Sequence, residues 1–193
     1  MKDDHLDYLL TLDEQRALLN IARTSVEWAV QGGEKPHFEY DFPVFSEKRG
    51  AFVTISKDEQ LRGCIGFLLA VKPLAETVSE MAIAAGKRDP RFPPVSEIEL
   101  PTLNFEISVL SPLREIQDIS LIKVGVHGIY IKKGINSGLL LPQVAEKYNW
   151  DRHEFLNQTC RKAGLTSSAW QDHETCIEIF SAQVFSGGDV LRE

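Results

Sequence analysis

Cysteine is scarce in this chain: Cys64, Cys160 and Cys176 are the only three among 193 residues. The number is odd and no C-x-x-C pair occurs, which argues against a disulfide framework and suits a reducing cytosol. Positive charge is also in short supply. With 21 Lys and Arg against 28 Asp and Glu, the formal net charge is −7. A protein that gains affinity by neutralising phosphates needs the opposite balance, so nucleic acid is not an expected partner. Long apolar runs are absent, and nothing approaches the roughly 18 consecutive apolar residues of a membrane span. The opening Met1-Lys2-Asp3-Asp4-His5 is polar and acidic, unlike a secretory leader. The expectation is a cytoplasmic protein with no membrane partner.

Several chemical signatures are missing too. There is no G-x-x-x-x-G-K-[ST], no G-x-G-x-x-G opening a helix, no G-x-S-x-G and no H-E-x-x-H. His153 and Cys160 lie seven apart on one expected helix, about 10.5 Å along its axis. Ligand bonds of about 2.0–2.3 Å cannot bring both to one ion. His173 and Cys176 have no second pair at zinc-finger spacing. No metal site is expected, and the sequence names no cofactor.

What remains is ordinary globular material, 43% hydrophobic and 25% charged, at a length suited to one domain. Residues 1–12 read as a flexible tail before a single domain over 13–193. Thr11-Leu12-Asp13-Glu14 has capping-box form, and the helix after it places Leu18, Ala22, Val26 and Ala29 on one stripe, ending at Gly32-Gly33. A long connection rich in Pro and aromatics follows, including Phe38, Tyr40, Phe42 and Phe45. Residues 50–56 and 61–67 read as antiparallel strands joined by the polar turn Lys57 to Gln60. Pro73 opens a helix that ends near Gly86-Lys87-Arg88, where Asp89-Pro90 cannot continue it. Leu103, Phe105, Ile107 and Val109 alternate with polar residues in a half-buried strand. Leu121 to His127 and Ile129 to Lys133 read as strands, Asn136-Ser137-Gly138 as a turn, and Pro142 as the start of a brief helix. Asp151 heads another helix, ending at Gly164, and Cys176 to Phe185 is the last strand. Hairpin strands interrupted by separate helices imply α+β, a mixed or antiparallel sheet flanked by helices.

The stretch that invites chemistry is Leu61-Arg62-Gly63-Cys64-Ile65-Gly66-Phe67. In a regular strand Leu61, Gly63, Ile65 and Phe67 share one side, expected to be core, and Arg62, Cys64 and Gly66 the other. Glycine in a strand marks a bulge or a close approach to the backbone. Cys64 is thus a candidate nucleophile, with Arg62 to clamp an anion and stabilise a thiolate. The plainer alternative is an inert buried thiol. His127, between Gly125 and Gly128, is a candidate general base for that thiol, or else a hydrogen-bonded structural ring.

Leu61-Arg62-Gly63-Cys64-Ile65-Gly66 resembles the hallmark of the AMMECR-one domain family, also called the AmmeMemoRadiSam system protein A family. The likeness extends to Leu18 through Arg23, Gly50 through Thr54, Asp89-Pro90-Arg91-Phe92-Pro93-Pro94, Val109 through Leu113, His127-Gly128-Ile129, Leu140 through Ala145, Lys162 through Leu165, and Trp170. It spans about Asp13 to Phe185; the N-terminal tail and residues 32–49 stand apart from it. The resemblance implies a larger and a smaller lobe packed as one unit, with the hexapeptide strand beside a cavity or cleft. It also implies Memo-like and radical-SAM-like partner proteins. Its matching positions are Arg62, Gly63, Cys64 and Gly66, then Asp89, Arg91 and His127. Two functional expectations follow. One is a small-molecule enzyme acting on an anionic or carbonyl-bearing compound, with Asp89 and Arg91 at the rim of the site; the other is a non-catalytic binding or assembly module.

Overall fold

A computed structural model describes residues 9–39 and 41–190; the first eight residues of the expected tail and Tyr40 lie outside the described residues. The fold is α+β, and the chain divides into two compact units, residues 1–110 with 183–193, and residues 111–182.

In the first unit, helix α1 (Leu12–Gln31) begins at the capping box of Thr11 and Glu14 and stops at Gly32, whose φ of 79° is open to glycine. Leu10, just before it, is buried and is tied to the side chains of Gln15 and Gln183. The long connection is pinned by a short 3-10 turn at Pro43–Ser46, with Val44 and Phe45 buried. Strands β1 (Ala51–Lys57) and β2 (Gln60–Phe67) form a hairpin through Asp58 and Glu59, both at positive φ. Helix α2 (Leu74–Lys87) follows, and after a 3-10 segment at Glu97–Thr102 comes strand β3 (Leu103–Leu110). β1 lies between β2 and β3, antiparallel to both. Its Ala51, Val53 and Ile55 join Leu103, Phe105, Ile107 and Val109 of β3 in one apolar cluster. Leu18, Ile21, Ala22 and Val26 of α1 close that cluster with Leu74, Val78, Ala82 and Ala85 of α2. The outward residues of β1, Phe52, Thr54 and Ser56, are half-buried.

β2 departs from simple alternation. Its register with β1 pairs Ile55 with Gly63 but Ser56 with Leu61, leaving Arg62 as the extra residue of a bulge. The shift turns Leu61 to the side of Ser56, so Leu61 is 45% exposed rather than core. Phe67, at the far end of this edge strand, is 43% exposed, and only Gly63 and Ile65 face the apolar cluster.

The second unit contains β4 (Arg114–Ile116), β5 (His127–Lys133), β6 (Asn136–Leu140), α3 (Pro142–Lys147), α4 (Arg152–Lys162) and the start of β7 (Cys176–Ser186); a last turn of helix, α5 (Gly187–Val190), ends the described chain. β7 pairs with β4 and β5, and β5 with β6, all antiparallel. Ile116, Ile129, Ile131, Ile177 and Ile179 pack against Phe155, Leu156 and Cys160 of α4. Two expectations are corrected here. Residues 121–126 are not a strand, and only His127 of that stretch belongs to one, as the start of β5: Asp118 caps a 3-10 turn at Ile119–Leu121, and Gly125 turns the chain at a φ of 83°. Asn136 to Gly138 is not a turn but the start of β6. The reversal falls one step earlier, at Gly134, where φ is 57°. Among the described residues, no helix is long and apolar enough to cross a membrane.

Candidate functional site around Cys64

The site is built by a close approach. A Cβ at Gly63 would collide with the carbonyl oxygen of Ala85, so the missing side chain lets the last turn of α2 settle directly on β2. Two residues past the end of α2 stands Asp89, which this contact delivers to the outer edge of the strand. Its side chain is 1% exposed. There it accepts the Cys64 N–H at 2.8 Å and the Arg91 N–H at 3.1 Å. The Arg91 guanidinium completes the arrangement, donating to Asp89 from Nε at 3.0 Å and Nη2 at 2.7 Å. Nη2 also donates to the Cys64 carbonyl at 3.1 Å. Both main-chain polar groups of Cys64, which point away from β1, are therefore satisfied by Asp89 and Arg91.

Charge follows geometry. The Arg91 guanidinium holds the Asp89 carboxyl far below the usual carboxylate range; burial pulls the other way, and the Cys64 and Arg91 N–H groups help keep it low. Arg91 is raised above its ordinary value chiefly by Asp89, and the Cys64 side chain adds to the shift. Arg91 is 54% exposed along its side chain and stacks its guanidinium 5.5 Å from the Phe92 ring centre.

Cys64 is half-buried and stands opposite Thr54 on β1. With the Cys64 amide and carbonyl turned outward, this is a non-hydrogen-bonded cross-strand pair, the kind that brings side chains closest. Thr54 Oγ1 donates to Cys64 Sγ at 3.3 Å. The space over Gly66 is taken by the Phe52 ring, and that over Gly63 by Ala85, so both glycines admit parts of this protein. The exposed side chain beside Cys64 is that of Arg91.

Arg62 is placed differently from the expectation. As the bulged residue it sends its guanidinium to Glu99, with Nε at 2.8 Å and Nη2 at 3.2 Å from the two carboxylate oxygens. Nη1 is buried and has no hydrogen-bond partner among the described residues. Arg62, followed by the Ser96 cap, pulls Glu99 down to about 2. The pair anchors the 3-10 segment at Glu97–Thr102 to β2.

His127 belongs to the other unit. It opens β5 opposite Ser181, and its Nδ1 accepts the Lys123 N–H at 3.1 Å, closing the loop from Lys123. A neutral ring that accepts at Nδ1 carries its proton on Nε2, so this contact makes the ring a loop clasp. Gly128 beside it is covered by the Phe180 ring, and Gly125 faces Glu146.

The structure thus assembles Cys64, Gly63, Gly66, Asp89 and Arg91 around one strand edge, sets Arg62 to one side of them, and adds Thr54 and Glu99. Thr54 was not foreseen because a hairpin counted without the bulge pairs it with Gly63. Glu99 carried a legible signal, the capping-box spacing Ser96-x-x-Glu99.

The AMMECR1 family model matches residues 19–185, which takes in every residue of this arrangement. The chain belongs to the AMMECR1 family. It is 45% identical over 183 residues to a protein of Methanothermobacter thermautotrophicus, covering 91% of this chain and 95% of that one. A Methanopyrus kandleri protein is 41% identical over 185 residues, covering 91% and 89%. Among solved structures, an uncharacterised protein from Pyrococcus horikoshii matches with a TM-score of 0.79 and 40% identity, covering 88% of this chain and 89% of its own. The α+β fold is shared with that neighbour.

Proposed function

We propose that this AMMECR1 protein is a small-molecule enzyme whose reacting group is the Cys64 sulfur, acting in the cytoplasm on a compound that carries a carbonyl and a negative charge. The observation that carries this reading is the partly buried Cys64 held on a fixed backbone, whose carbonyl accepts from the exposed Arg91 guanidinium. The matching step is addition of the thiol across the carbonyl. The S–C bond forms, the C=O π bond breaks, and the thiol proton ends on the carbonyl oxygen. Arg91 is the cation available to the developing oxyanion and to the anionic group.

Reaction with iodoacetamide at neutral pH, mapped by peptide mass spectrometry, tests the proposal. The protein supplies its own controls. Cys160 is fully buried, and burial pushes its thiol up; burial also pushes up Cys176. Cys64 is expected to react faster than either and faster than free glutathione. A Cys64 rate no greater than that of glutathione overturns the reading.

A second reading, a docking module for Memo-like and radical-SAM-like proteins, is favoured by one observation: Phe67 at the end of β2 and Leu69 and Val71 just beyond it are exposed apolar side chains. A Cys64→Ser variant that keeps complex formation and the cellular phenotype supports the module.

A further inference from the structure

We infer that Thr54 is a positioning residue for the Cys64 sulfur, holding it toward an incoming electrophile and favouring its negatively charged form. This rests on the reading of Cys64 as the reacting group. Three features of the fold carry it. The bulge at Arg62 changes the partner of Thr54 from Gly63 to Cys64, so the hydroxyl meets sulfur rather than a bare Cα. The Cys64 main chain cannot swing away, because Asp89 holds its N–H and Arg91 its carbonyl. The hydroxyl itself sits on a β-branched side chain with few rotamers in the centre of β1, and donates to Sγ at 3.3 Å.

Thiolate, not thiol, is the nucleophile, and a donor directed at sulfur lowers the energy of the sulfur when it carries charge. Arg91 supplies charge nearby, but two of its nitrogens are spent on Asp89 and one of these also on the Cys64 carbonyl. The Thr54 hydroxyl adds to that charge a donor directed at the sulfur itself. Thr54 needs to touch no substrate to act this way.

The test compares Thr54→Val, which keeps the shape and removes the donor, with Thr54→Ser, which keeps the donor. Rates of Cys64 alkylation by iodoacetamide are followed from pH 6 to pH 9, alongside urea unfolding of each protein. Losing one hydrogen bond to a charged group is worth about tenfold, so Thr54→Val is expected to react about tenfold more slowly at pH 7. Thr54→Ser is expected to stay within about twofold of wild type. Thr54→Ala, measured in parallel, gives the same comparison if the valine variant unfolds. Equal rates for wild type and the donor-less variant overturn the inference, as does a serine variant as slow as valine. The wild-type rate against glutathione judges the reactivity of Cys64, whereas the ratio of variant to wild type judges Thr54 whatever that rate is.

Discussion

Removing Arg91 tests whether Asp89 and Arg91 act as a pair. Arg91→Ala takes away two charge-assisted hydrogen bonds to Asp89 and the donor to the Cys64 carbonyl. What it leaves is a carboxylate at 1% exposure, with two main-chain N–H groups for company. Breaking a fully buried pair by deleting one partner costs about 3–5 kcal/mol; here the exposure of Arg91, 54% along its side chain, lowers that cost. Asp89→Asn in the wild-type background does something milder. Arg91, more than half exposed, turns to water, and the remaining amide oxygen still accepts the Cys64 N–H. The two substitutions should therefore be strongly non-additive. At pH 7, Arg91→Ala is expected to cost about 2 kcal/mol, and adding Asp89→Asn to it should recover about 1 kcal/mol by removing the unpaired charge. Urea unfolding followed by circular dichroism measures the cycle, and hydrogen exchange at the Cys64 amide reports locally on the clasp. If Asp89→Asn destabilises the Arg91→Ala protein as much as it destabilises wild type, the charges are not coupled and the account of the clasp fails.

Two further perturbations separate the remaining features. Gly63→Ala drives a methyl into the main chain of α2, whereas Gly66→Ala meets the Phe52 side chain, which can swing aside about its Cα–Cβ bond. The first is expected to cost about 3 kcal/mol and the second about 1 kcal/mol in unfolding experiments; the reverse order would refute the close-packing argument. Glu99, lowered from its ordinary 4.5 to about 2 by Arg62, contributes stability that is complete above pH 4.5 and is lost as the pH falls through about 2. Glu99→Gln is thus expected to be less stable than wild type by about 3 kcal/mol at pH 7. The gap should close toward pH 2, and one that is the same at both ends contradicts the assignment.

Where local rules act alone, the chain is readable. The capping box at Thr11 and Glu14, the helical stripe of Leu18, Ala22 and Val26, and the alternation from Leu103 to Val109 all appear as expected. β2 resisted because one extra residue reversed the facing of Leu61, and nothing in the local composition marks a bulge at an arginine. Leu121 to His127 looked like a strand by its apolar content, but Asp118 and Gly125 bend it. The glycines of the hexapeptide correctly signalled close approach without saying by what; the answer, an α2 carbonyl and a β1 ring, is set by packing. Asp89 and Arg91 came from the family likeness alone, because a carboxylate reaching 25 residues back to an amide leaves no trace in spacing.

The irregularity at Arg62 also divides one strand into two independent phases. Downstream, outward facing is dictated by the match of Cys64 with Thr54 and Gly66 with Phe52; upstream, it is dictated by the tight reversal at Asp58 and Glu59. A deletion that straightened the ladder would leave the reversal intact while offering its chemistry to the oily interior. The arginine at the junction, fastened to Glu99, is the latch that keeps those two halves out of step.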